Sequence, residues 1–312
     1  MNETIVLSEP FFARHLKLYL FTSLELPSVS ISIYILYKFY HSHKIYSRLN
    51  NRSIVALLLV TLITLTTELP ITLVFLSSGR VQPVDERFCL FWIWYNSSLQ
   101  GINLFLMAWT SIERHILIFH LSLVLRAAGR LKWHYIPLII CIIYVPLFYF
   151  FSIIIYPCES SFNYSRHLCG SACYLNITWL SSLDWITNIL IPSCVVLVGS
   201  ITLIIRVSIQ FKKMKRTLFW RRTRKMTIQL ISIASLYSIF WISLTLISLI
   251  RLYFIPNFLE HITLYYFHYS PYFNLWQSQA EKNGQLKMAV YQNYYYFIKF
   301  KFNCCRSRIL LS

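Results

Sequence analysis

A chain of 312 residues that is 57% hydrophobic and only 13% charged lies far below the roughly one-quarter charge of soluble domains, which excludes a water-soluble globular domain and places it in the membrane class. Its net charge of +18, from 29 basic and 11 acidic residues, would suit a nucleic-acid binder only if the charge gathered on one surface. It is sorted by alternate segments instead, so the lipid bilayer is the partner to expect, and no nucleic acid.

The first seventeen residues, "MNETIVLSEPFFARHLK", have no basic start followed by a short apolar core and a small-residue cut site. No cleavable signal peptide is expected, and the first span would act as its own insertion signal. Residues 18–37 carry one acid, Glu25, and residues 53–78 carry one, Glu68. Residues 89–111, 133–157, 185–205 and 226–250 carry no Asp, Glu, Lys or Arg. Each window is long enough to cross about 30 Å of hydrocarbon, which takes roughly 20 apolar residues in a helix. A seventh window, residues 261–280, is uncharged but crowded with Tyr, His, Ser and Gln. These runs are continuous, whereas barrel strands are about ten residues of alternating polarity, and a helix satisfies its own backbone in lipid. The expected fold is an all-α integral membrane bundle of seven transmembrane helices over residues 18–280. Residues 1–17 form an outer segment and residues 281–312 a cytoplasmic tail. Prolines at Pro27, Pro70, Pro137, Pro146, Pro192 and Pro271 predict kinks within the spans.

With the N-terminus outside and seven spans, residues 38–52, 114–132, 206–225 and the tail after Ala280 hold 4, 4, 9 and 6 Lys/Arg, 23 of the 29. The positive-inside rule reads that side as cytoplasmic. Sequons at Asn2, Asn163 and Asn176 fall on the opposite side and are candidates for glycosylation, although such triplets also occur at Asn51 and Asn96, where the topology offers no access. Cys89, Cys158, Cys169 and Cys173 share that outer side, where disulfides persist, and four thiols allow three full pairings. Cys304 and Cys305 follow aromatic and basic residues in the tail and are candidates for palmitoylation.

The stretch "MAWTSIERHILIFH", residues 107–120, places Glu113 and Arg114 straight after more than twenty uncharged residues. Cys89 and Arg114 are 25 residues apart, roughly 38 Å along a helix, so the two charges stand where the third helix leaves the membrane. Arg114 alone reads equally well as a topological anchor. An outer Cys opening the third span and the triplet Glu113-Arg114-His115 closing it together resemble the rhodopsin-like (class A) G protein-coupled receptors, with His115 in place of the family's usual Tyr. The resemblance implies that Cys89 pairs with a cysteine of the second outer loop, where Cys158, Cys169 and Cys173 stand. It further implies that Glu113 holds Arg114 at rest, and that Arg114 meets a heterotrimeric G protein once the helices part. Pro192 stands where the family has the kinking proline of the fifth span. Trp241, in "FWIS", keeps the tryptophan of the sixth-span motif without its proline, and as one of nine Trp it also reads as an ordinary packed aromatic.

Departures are equally plain. The second-span Asp of the family is Thr61 here, and the seventh-span Asn-Pro-x-x-Tyr motif is absent, "SPYFNLW" at residues 270–276 having only a Pro-Tyr pair. The resemblance is good over residues 15–255 and poor beyond.

A ligand would occupy the outer half of such a bundle. Glu68 is the first candidate, because an acid within a span is costly and faces a cavity or a partner, its plain alternative being a structural carboxyl. Asn96 stands where amine receptors of the family carry an Asp, which disfavours a monoamine and leaves a peptide or other small molecule. Gln100 lies one turn further in on the same face, and Asp184 at the outer mouth of the fifth span. No metal-ligand spacing, nucleophile motif or phosphate-cradling Gly loop is present, so neither an enzyme nor a cofactor is expected. The expectation is a plasma-membrane receptor. Its rivals are a small transporter, which would show inverted repeats, and a non-signalling six-span protein whose last segment never inserts.

Overall fold

In the computed structural model, residues 11–41, 49–119, 129, 131–158, 162–170, 172–214, 238–239, 241–250 and 252–254 are described. They are 89% helical, with no strand among them. The window at residues 261–280, the tail with Cys304 and Cys305, and the Asn2 sequon lie outside the described residues.

Helix α1 spans Phe11–His41. α2 runs as Leu49–Ile63, a π-helical turn Thr64–Glu68, and Leu69–Ser78. α3 is one rod, Glu86–Phe119. α4 runs through a π turn Leu131–Tyr135, then Ile136–Tyr149, then a second wide turn Phe150–Ile155. α5 begins at Thr178–Leu183, widens over Asp184–Leu190 and continues as Ile191–Met214. α6 comprises Trp241–Ile250. Among the described residues four stretches are long and apolar enough to cross a membrane: Leu18–His41, Arg52–Ser78, Leu131–Ile155 and Thr178–Leu203.

Three of the wide turns have a common cause. Each ends two residues before a proline: Glu68 before Pro70, Tyr135 before Pro137, Leu190 before Pro192. A proline has no N–H for the preceding turn, and its ring collides with the carbonyl four residues back. Widening that turn relieves the collision and turns the side chains within it, which include Glu68 and Asp184, relative to a regular helix.

α3 falls short of the apolarity that the four spans share, and its position explains why. It packs against α2, α4 and α5, so Asn96 and Ser98 are buried among helices and need not satisfy lipid. α4 shows the opposite arrangement. Its residues Ile139, Ile143, Leu147 and Phe151 form an exposed stripe at i, i+4 spacing, while Leu138, Cys141, Val145 and Tyr149 are buried. A helix apolar on both faces, with one of them uncovered among the described residues, is what a bilayer-facing helix requires. α3 is held close by glycines: a Cβ on Gly101 would sit 2.5 Å from Val145 of α4, and one on Gly199 of α5 would collide with Ser111. Small residues let helix backbones approach in this way where apolar burial gives no advantage over lipid.

Neighbouring helices alternate in direction. Gly79, at the end of α2, lies against Arg14 near the start of α1, whereas Ile35 and Phe39 of α1 pack with Ile54 and Leu58 at the start of α2. Tyr253, just past α6, meets Ser182 near the start of α5 at 2.7 Å between hydroxyls. The bundle therefore has a disulfide end, with Gly79, Cys89 and Thr178, and a Glu113 end, with Ser53 and His134. The main core lies between them, joining Leu57, Leu106, Val145, Val196, Trp241 and Leu244.

Candidate functional site

The disulfide end is tied covalently. Cys89 at the start of α3 is bonded to Cys169, and Cys158 to Cys173, which selects one of the three pairings open to four thiols. The loop between α4 and α5 is thereby folded onto the bundle. The Val81 N–H donates to the Tyr164 carbonyl at 2.8 Å and the Asn163 N–H to the Cys169 carbonyl at 2.9 Å. Asn163 and Asn176 are exposed on this loop, and the Asn163 side chain accepts from the Ser165 N–H at 3.0 Å.

Asp184 is buried rather than solvated at a rim, with 4% exposure. Its carboxylate accepts from Tyr149 Oη of α4 at 3.0 Å, Tyr174 Oη of the loop at 2.9 Å and Asn188 Nδ2 of α5 at 2.8 Å. Three donors on one carboxylate offset its desolvation and tie loop, α4 and α5 together. Burial, followed by the nearby Asp184 carboxylate, pushes the Tyr174 hydroxyl well above its ordinary pKa, so it remains a donor.

Glu68 is also buried. Its Oε1 accepts from Thr72 at 2.8 Å, and Thr72 Oγ1 lies 3.3 Å from Nε2 of His167 in the loop. Asn96 is buried and accepts from Gln100 Nε2 at 2.9 Å, so these two candidates are brought together as a pair on α3.

At the other end, Glu113 is 2% exposed. Ser53 of α2 donates to its Oε2, and His134 Nδ1 of α4 pairs with its Oε1. His115, two residues on, sets its Nε2 2.7 Å from the Gly199 carbonyl of α5. Two residues of the triplet thus bind α3 to three neighbouring helices. Arg114 is half-buried between them. Above this end, Trp241 is buried against the core.

Sequence reasoning missed Ser53, His134, Thr72, His167, Tyr149, Tyr174 and Asn188. Only His134 carried a usable signal, as a histidine at the charged entrance of an otherwise apolar run, "LKWHYIP". The chain matches no protein-family model and no curated protein.

Proposed function

We propose that the chain is a seven-helix receptor of the plasma membrane that passes an outside ligand's signal to a heterotrimeric G protein, with the disulfide end outside and the Glu113 end in the cytoplasm. The observation that carries this reading is α3 itself. One rod bears a disulfide at one end, and at the other an acid-Arg-His triplet whose acid and histidine reach α2, α4 and α5 through hydrogen bonds. Such bonds at a partly dry boundary are strong enough to favour one packing and weak enough to be exchanged for another. A ligand that favours the separated state shifts the population toward it, and Arg114 then meets the G protein. The ligand is a peptide or small organic molecule, and it reaches the outer half of the bundle near Glu68, Asn96 and Gln100.

The test needs no ligand. In membranes from cells expressing the chain, Glu113→Gln weakens the clamp and is expected to raise basal nucleotide exchange on a G protein above the wild-type level. Adding Arg114→Ala is expected to return exchange to background while surface expression persists. Exchange that is unaltered by either substitution on every Gα class contradicts the reading.

A further inference from the structure

The ring of His167, in the loop, packs against Trp92 and Phe75 and stands beside Thr72. Its ring lies edge-on to Trp92, with centroids 5.3 Å apart and planes at 76°, and to Phe75, at 5.6 Å and 64°. Below it stand Thr72 and Glu68. Phe75, Trp92, Thr72 and Glu68 are all more than nine-tenths buried.

The hydrogen-bond roles follow from proton count. Thr72 has a single hydroxyl proton and gives it to Glu68 Oε1 at 2.8 Å. Its oxygen can then accept from His167 Nε2, at 3.3 Å, in the tautomer that carries a proton on that nitrogen. Two donors thus point in series at a buried carboxylate, each polarising the next. Among the described residues no basic side chain contacts Glu68 directly. A carboxylate in that setting favours a positively charged occupant, and aromatic walls favour a flat one. None of this depends on the chain's coupling to a G protein.

We propose that Glu68, Thr72, Phe75 and Trp92 form a binding site for a cationic or N–H-donating planar group of the imidazole or amidine class, and that His167 is its tethered occupant. The disulfide Cys89–Cys169, two residues from His167, keeps the occupant at a high local concentration. A free ligand of that class must therefore displace the loop's own ring.

The experiment is chemical rescue on the detergent-purified full chain. His167→Ala should lower the melting temperature, and millimolar 4-methylimidazole should restore it by about 2 °C or more. 4-Methylthiazole has the same shape and no N–H donor, and should restore nothing. Adding Thr72→Val to His167→Ala should abolish the rescue. Equal effects of the two heterocycles, or rescue that survives Thr72→Val, would overturn the proposal. If His167→Ala does not purify as a monodisperse protein, His167→Gln and His167→Leu take its place. The Gln variant keeps a donor near the Nε2 position and should melt near wild type, the Leu variant clearly below it; Leu equal to or above Gln would equally overturn it.

Discussion

The two ends of α3 hold their neighbours by different chemistry. At the disulfide end two covalent bonds, a carboxylate with three donors and a loop laid across the helix ends act together. At the Glu113 end the same rod is held by hydrogen bonds from Ser53 and His134 and by one from His115 to a backbone carbonyl. The first arrangement includes covalent ties and the second, among the described residues, includes none; under the proposed receptor reading that asymmetry would let the helices part at the Glu113 end while the disulfide end stays closed.

The largest effect should come from removing what is covalent. Closing an 80-residue loop restricts the unfolded chain by about 4.5 kcal/mol in the chain-entropy account. Cys89→Ser with Cys169→Ser should therefore abolish delivery of folded protein to the cell surface, measured by surface labelling. Normal delivery would remove the contrast between the ends. Next is Asp184→Ala, which leaves Tyr149, Tyr174 and Asn188 without their acceptor and should cost about 3 kcal/mol, read as a fall in the thermal midpoint. A solvated rim carboxylate would cost almost nothing.

His134→Phe sharpens the comparison from the other side. Losing a hydrogen bond to a charged group costs about 2 kcal/mol, so the midpoint should fall less than for Asp184→Ala, while basal nucleotide exchange should rise. A fall in stability without a rise in exchange would make the Glu113 end a strut rather than a switch. The smallest effect belongs to Trp94→Phe, which removes the indole donor 3.1 Å from the Pro146 carbonyl between α3 and α4 and should cost about 1 kcal/mol.

What could be read from the chain was governed by the range of the forces involved. The apolar runs at residues 53–78 and 133–157 gave the helices α2 and α4, because lipid constrains every residue of a spanning segment. α3 was readable through its charge-free length, although in the folded chain its polar centre is shielded by other helices. The prolines predicted distortions, and three of them stand just after widened turns. That Glu68 and Asp184 lie within those turns was not legible, since the ladder defect and the side chain it turns are set by local packing. The cysteines announced disulfides without their partners, because pairing depends on how the loop folds back. Glu113 was visible as an end marker, but its partners Ser53 and His134 lie 60 and 21 residues away in sequence, and no local pattern connects them. Asp184 was readable as standing at the outer mouth of the fifth span, but its burial was not, because Tyr149 and Tyr174, which donate to it, come from α4 and the loop.

For the Glu113 end to act as a switch on an outside signal, α3 must join two aqueous compartments. Val84, 65% exposed just before α3, and Lys132, exposed at the start of α4, lie at the disulfide end and the Glu113 end respectively. Labelling intact cells with a membrane-impermeant maleimide, against the wild-type background, should modify Val84→Cys at once and Lys132→Cys only after permeabilisation. Equal labelling of both from outside would contradict it.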